Sequence, residues 1–359
     1  MKFNFRNLLF MTAALSLLLL SACGSPATAT PAPAATDVPP AAETIVPADP
    51  GTLVIYSGRS ESLVGPIIAQ FSEATGIQVE VRYGSTAEMA ATLLEEGANS
   101  PADVFFAQDP GGLGAVAKDE LFASLPEETL AKVPAEFRSP DGLWVGISAR
   151  ARVVVYNTEA LQPEDLPEDI WDFTDPQWNN RIGWAPTNGS FQAMVTAMRV
   201  VWGEERTREW LEGVQANNPK VFEGNAPIVE AVGSGEIEVG FVNHYYLYRF
   251  LKEQGESFPA RNYFLPGGGP GSLVMVAGAG RLANGKNEAN ALKFIDFMLS
   301  TVAQQYFAGS TYEYALVEGI SAERGLTPLA ELNRLEIDMV DLNDLAGTTK
   351  LLQETGLLP

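Results

Sequence analysis

Two adjacent phenols, Tyr245 and Tyr246, follow the only histidine of the chain in the run Gly240-Phe241-Val242-Asn243-His244-Tyr245-Tyr246-Leu247-Tyr248-Arg249-Phe250. A phenolate oxygen is a hard donor suited to a small, highly charged cation such as Fe(III), whereas softer metals favour sulfur or imidazole. Consecutive side chains diverge in a strand and stand well apart round a helix. Both hydroxyls therefore reach one ion only at a turn or at the end of an element. The same tyrosines also read as half-buried aromatics, with His244 either a polar packing residue beside them or a further ligand.

The elements around the pair supply such an end. Residues 236–242 alternate as a strand that delivers Tyr245 and Tyr246 to its carboxyl end, after a helix over 225–232 capped by Asn225. Upstream, the strand 181–185 runs into Pro186-Thr187-Asn188-Gly189-Ser190 and a helix over 191–201. A polar turn opening a helix aims backbone N–H groups outward, which makes either an anion cradle or an ordinary cap by Asn188 or Ser190.

The first half repeats a strand-turn-helix plan. Strands are expected at 53–56, 77–81 and 102–107. A helix marked by Leu63, Ile67 and Phe71 stops at Gly76, another spans 87–96, and Gln108-Asp109-Pro110-Gly111-Gly112 opens a third. This alternation predicts a mainly parallel sheet covered on both faces, with ligands beyond the strand ends, where Arg59, Ser60, Glu61, Gln108 and Asp109 fall. The strand 144–157 reads as a crossing to a second lobe, and 272–277 as a second crossing back. Pro266 to Gly271 is glycine-rich, but no Gly-Lys-Ser/Thr follows to make a phosphate loop. Leu292, Ile295, Leu299, Val302 and Tyr306 predict one long amphipathic helix, and a closing helix is expected over 345–352.

The ends bound the setting. Lys2, Arg6 and the apolar run Leu8 to Leu20 read as an export signal, and Leu20-Ser21-Ala22-Cys23 resembles a lipoprotein processing site. Cys23 is the only cysteine, so no intramolecular disulfide forms and its thiol is free for lipid attachment. Residues 24–50, rich in Ala, Pro and Thr, are expected to be a disordered linker, leaving about 51–359 for two lobes. The net charge of −22 argues against nucleic acid or an anionic membrane face as partner.

The order of these pieces resembles the bacterial ferric-ion-binding proteins, the solute-binding components of ABC iron importers. The similarity covers about residues 52–358 and rests on Ile55-Tyr56-Ser57-Gly58-Arg59, Ser100-Pro101-Ala102-Asp103-Val104-Phe105-Phe106, Arg150-Ala151-Arg152-Val153-Val154-Val155-Tyr156-Asn157, Pro186-Thr187-Asn188-Gly189 and Asn243-His244-Tyr245-Tyr246. It implies an α/β type II periplasmic-binding-protein fold, two lobes joined by two hinge crossings with the ligand in the cleft between them. The expected lobes are 51–150 plus about 277–318, and 151–276 plus about 319–359. The resemblance also implies permease and ATPase partners, a monomer, an extracytoplasmic location with a lipid anchor as the only membrane attachment, and no enzymatic activity.

Carried over residue by residue, Tyr245 and Tyr246 resemble the iron-ligating phenolates. Asn188, Gly189 and Ser190 resemble the turn for a synergistic anion, with Asn225 and Asn243 nearby, and Arg150 resembles an arginine that engages carbonate. The chain departs from the family in having Ser60 where many members place a metal-binding histidine, and Gln108 where some place a glutamate. Fe(III) prefers about six hard donors, so the expectation is that Glu61 or Asp109 joins the pair together with a carbonate or phosphate. Glu61 reads equally as a solvated residue in a first helical turn, and Asp109 as a cap beside Pro110. The alternative function is capture of a small anion, a phosphonate or carboxylate, in the same cleft. A surface enzyme finds little support, because a catalytic triad would have to use His244 and no Gly-x-Ser-x-Gly or HExxH pattern occurs.

Overall fold

Apolar residues on both faces of β1 (Thr52–Ser57) place it inside a sheet, between parallel β2 (Gln78–Tyr83) and β3 (Val104–Ala107). The computed structural model describes residues 50–320 and 325–359. The export segment, Cys23 and the linker as far as residue 49 therefore lie outside the described residues. Helices α1 (Glu61–Thr75), α2 (Thr86–Glu96) and α3 (Pro110–Lys118) follow β1, β2 and β3. α1 buries Val64, Ile67, Ile68 and Phe71 and ends at Gly76, whose φ of 74° lets its N–H reach the Ser72 carbonyl. α2 opens with a capping box of Ser85 and Glu88. The short β4 (Phe122–Ala123) and α4 (Glu127–Leu130) lead to β5.

β5 (Val145–Asn157) is buried at all 13 positions and serves two ladders. Its first part, through Ala151, runs antiparallel to β10 (Val274–Leu282), and Arg152 to Tyr156 run antiparallel to β8 (Val239–Asn243). Beyond β8 lie β6 (Ile182–Trp184) and β7 (Lys220–Val221), while β9 (Ala260–Tyr263) and β11 (Tyr314–Ala315) also pair with β5. The order β2-β1-β3-β10-β5-β8-β6-β7 is parallel within each half. It turns antiparallel at β10 and β5, because β10 returns from the second half and enters between β3 and β5 from the opposite end.

Helices α5 (Gly189–Trp202), α6 (Glu204–Ala216), α7 (Asn225–Gly233) and α8 (Tyr245–Gln254) serve the second half. The expected cap of α7 is not made by Asn225: Gly224 precedes the helix, and the Asn225 carbonyl oxygen accepts from the Asn243 N–H at 2.8 Å. The expected long helix is two, α9 (Glu288–Met298) and α10 (Thr301–Ser310), because the Ser300 hydroxyl accepts from the Ala303 N–H and restarts the chain. The apolar period runs on across the break, but Val302 is 47% exposed. α11 (Leu345–Glu354) closes the chain. Among the described residues no helix is long and apolar enough to cross a membrane.

A fully buried polar cluster ties the end of β1 to the chain after α10. Arg59 pairs with Glu313 at 2.7 Å and donates to the Ser148 hydroxyl at 3.0 Å, and Ser148 and Thr311 donate to Glu313 at 3.1 and 2.9 Å. Burial pushes the Glu313 carboxyl up, but Arg59 and its hydrogen bond win and hold it below the usual carboxylate range. Glu313→Ala strands the Arg59 charge away from water and should cost about 3–5 kcal/mol in denaturant unfolding. A loss under about 1 kcal/mol would show that the pair is not a support of the fold.

Candidate functional site

Tyr245 and Tyr246 are the first two residues of α8, directly after β8, so the element end required by two converging hydroxyls is a helix start. His244 fixes that corner. Its N–H donates to the Ala151 carbonyl at 3.0 Å, its Nδ1 accepts from the Ala151 N–H at 3.1 Å, and its Nε2 donates to the Tyr312 carbonyl at 2.7 Å. Both ring nitrogens are engaged, and burial pushes the imidazole pKa down to about 4. The ring is therefore a neutral brace between β5 and the residues after α10, which agrees with the packing role and leaves no nitrogen for a metal.

This brace carries a pH prediction. The unfolded chain takes up a proton near pH 6.5 that the native imidazole refuses until about pH 4. Stability then rises with pH in this window and is lost on acidification, by about 3 kcal/mol between pH 6.5 and 4. Unfolding curves of the metal-free protein at the two ends should show that loss, and His244→Gln should escape this share of it. Equal losses in both proteins would contradict the assignment.

The two phenol rings stack with centroids 4.4 Å apart and 27° between planes, and their hydroxyls are hydrogen-bonded. Burial, followed by the neighbouring Tyr245, pushes the Tyr246 pKa well above the ordinary tyrosine value. Without a cation the Tyr246 hydroxyl therefore stays protonated. Across from the pair, the Gln108 amide approaches the Tyr245 hydroxyl at 3.5 Å, and the Arg150 guanidinium donates to the Gln108 carbonyl.

Arg150 and Arg152 are two apart on β5 and point to the same side of the strand. Arg152 Nη1 donates to the carbonyl oxygens of Asn225 at 3.2 Å and Asn243 at 3.1 Å, and Asn243 donates in turn to the Ser190 hydroxyl at 3.0 Å. Nε and Nη1 of Arg150, and Nε and Nη2 of Arg152, are buried without a hydrogen-bond partner among the described residues. Burial and then Arg150 push the Arg152 pKa down to about 9, so both guanidinium groups still carry charge at neutral pH. Buried donors without acceptors favour an anion, or a phenolate, beside them.

A cavity of about 280 Å³ adjoins the pair, bordered by Ser60, Gln108, Asp109, Asn188, Ser190 and Tyr246 among others. Asp109 is buried and caps α3 through the Gly112 N–H at 3.3 Å, and burial pushes its pKa up against the opposing pull of Arg150. Asn188 caps α5 by accepting from the Ser190 and Phe191 N–H groups at 3.1 and 3.4 Å, which occupies the amides of the expected cradle. Gly189 faces the Asp109 carboxylate across the cavity: a Cβ there would stand 3.7 Å from Asp109 Oδ2. Asn225 and Asn243 stand behind the wall, around Arg152. Glu61 is exposed in the first turn of α1 and does not border the cavity, and Arg59 turns inward to Glu313.

Among the described residues no group of three or more His, Cys, Asp or Glu side chains could hold a metal. A cation at this site would depend on the phenols, with at most a nearby carboxylate. Sequence reasoning gave Arg152 no role, although its spacing from Arg150 carried the signal.

Two parallel half-sheets joined by a shared central strand, with a polar cleft at their strand ends, define a type II periplasmic-binding-protein fold. Residues 99–338 match the family described as bacterial extracellular solute-binding proteins. The Fe(3+)-binding periplasmic protein of Serratia marcescens is 34% identical over 87% of this chain and 92% of its own. Iron uptake protein A1 of a Synechocystis strain is 32% identical over 94% and 93%. Iron-bound HitA from Pseudomonas aeruginosa superposes with a TM-score of 0.82 at 36% identity, covering 85% of this chain and 99% of that one. The Trichodesmium protein IdiA (FutA), solved with iron and citrate, gives 0.75 at 28% identity, over 86% and 100%. The chain belongs to the ferric-ion-binding family of bacterial extracellular solute-binding proteins.

Proposed function

We propose that this chain is the extracytoplasmic solute-binding component of an ABC importer and captures Fe(III) through Tyr245 and Tyr246. The observation that carries this reading is the pair itself: two stacked, hydrogen-bonded phenols at a helix start, beside two buried arginines with unpaired donors. A bound trivalent ion displaces both phenol protons, and two phenolates with one carboxylate balance its charge. Asp109 borders the cavity and suits the carboxylate role better than exposed Glu61.

A carbonate or phosphate completes the shell, held by the free donors of Arg150 and by the Ser190 hydroxyl. The amides at Asn188-Gly189-Ser190 join only when the Asn188 cap lets go. Asn225 and Asn243 serve the anion indirectly, by fixing Arg152 and Ser190. The lobes are 51–150 plus about 277–318 and 151–276 plus about 319–359, with lipid-modified Cys23 as the sole membrane anchor. The protein acts as a monomer that delivers iron to a permease and its ATPase and performs no catalysis.

The alternative, capture of a small anion alone, draws on the same unpaired guanidinium donors. Titration with a ferric salt in bicarbonate buffer separates the two. A visible phenolate-to-iron absorption band saturating at one ion per chain supports ferric capture; heat release with phosphate or phosphonate, and no band with iron, supports the alternative.

A further inference from the structure

The last part of the chain joins neither half-sheet and instead lies across both walls of the cleft. Met339–Asn343 forms a single 3-10 turn, and α11 follows. On one side the turn rests on α3, where a Cβ at Gly114 would stand 2.4 Å from Asn343 Cβ and one at Gly111 would stand 3.3 Å from the Leu342 carbonyl oxygen. Bare backbone at these positions of α3 is what admits the turn.

On the other side α5 holds the segment by polar contacts. Arg199 pairs with the Asp344 carboxylate at 2.9 Å and donates to the Asp344 carbonyl and the Thr348 hydroxyl, both at 3.1 Å. The buried hydroxyls of Thr196 and Thr348 meet at 2.7 Å. α3 begins at Asp109 and α5 at Asn188, which stand on the two sides of the cavity, and Leu342 and Leu345 border that cavity themselves.

We propose that residues 339–348 form a strap across the cleft that retains the captured ion, with Arg199 as its positioning residue. This inference rests on the ferric reading of the cleft. Parting α3 from α5 requires either lifting the turn off Gly111 and Gly114 or breaking the Arg199 and Thr348 contacts. Leu342 and Leu345 also keep an apolar wall between the cavity and solvent, so a competing chelator gains access only after the strap moves. The strap contributes no ligand, and it governs the rate of release while leaving the chemistry of the bound ion unchanged.

The test is stopped-flow transfer of iron from the loaded full-length protein to excess chelator, followed through the absorption band. Arg199→Leu breaks the α5 side, Gly114→Ala pushes Asn343 off α3, and Arg199→Lys retains the charge. The first two should release iron about tenfold faster, as loss of one charge-assisted contact implies, with the band unchanged in position and intensity. Arg199→Lys should recover most of the wild-type rate.

Release within twofold of wild type in both loosened variants would overturn the strap, and so would faster release accompanied by a shifted band, which would mean that the ligands themselves had moved. If a variant fails to fold, hydrogen exchange on the wild-type protein decides. Amides of 345–354 should gain protection on iron loading, and equal protection in both states would contradict the proposal. A wild-type protein that never develops the band sinks the ferric reading itself, a failure recognisable before any variant is made.

Discussion

Tyr245→Phe and Tyr246→Phe should each abolish the visible band or strip most of its intensity, and weaken ferric binding on the order of a hundredfold or more. The magnitude follows from known metal sites: four ligands holding a structural ion are together worth about 10–16 kcal/mol, or roughly 3–4 kcal/mol each. Phenylalanine keeps the stacked ring and removes only the donor oxygen, so the fold should survive. Tyr245 is fully buried and Tyr246 nearly so, and neither hydroxyl is used to hold another element in place. Glu61→Gln is the control: the side chain is exposed and outside the cleft, and affinity and colour should not change. Equilibrium competition against a chelator of known ferric affinity measures all three. A Tyr245→Phe protein that binds as tightly as wild type, with the same band, would remove the phenolate from the account.

Ferric affinity should also fall steeply as the solution is acidified. Tyr246 is held as a phenol by burial and by its neighbour, with its pKa well above the ordinary value, and coordination must expel its proton along with that of Tyr245. Two protons released per ion make the apparent binding constant drop by about a hundredfold for each pH unit below neutrality. The sign is fixed, because the metal-free state binds more protons than the loaded one. Proton release, read with a pH indicator during loading in weak buffer, should approach two per ion. A release near zero would mean that the tyrosines only wall the cleft.

Much of the framework was legible in local pattern. The strands β1 and β3 and the helices α1 to α3 have unambiguous periods and explicit stops such as Gly76 and Gly97. Tyr245 and Tyr246 were visible because adjacent phenols are chemically distinctive wherever they fall. What local pattern could not show is long-range pairing. Arg59 sits among residues expected to face the ligand but finds Glu313, 254 positions away, and turns inward. Asn225 resembles a cap at the start of a helix, yet its carbonyl oxygen is taken by the Asn243 N–H and by Arg152, contacts that exist only once β8 has docked on β5. The α9–α10 break was hidden for the opposite reason, since the apolar spacing continues through Ser300 and only the hydroxyl cap betrays the restart. The tail was read as an acidic connection to a final helix, and its course across the cleft depends on glycines more than 200 residues earlier in the sequence.

The central claim is that one ion is bonded by both hydroxyls at the start of α8. Crystals of the iron-loaded protein, measured on both sides of the iron absorption edge, test it most directly. The account predicts a single anomalous peak at bonding distance from the hydroxyl oxygens of Tyr245 and Tyr246, with Asp109 and a small anion facing them. A peak elsewhere on the chain, or a loaded crystal in which the two phenols keep their mutual hydrogen bond and touch no metal, would contradict it.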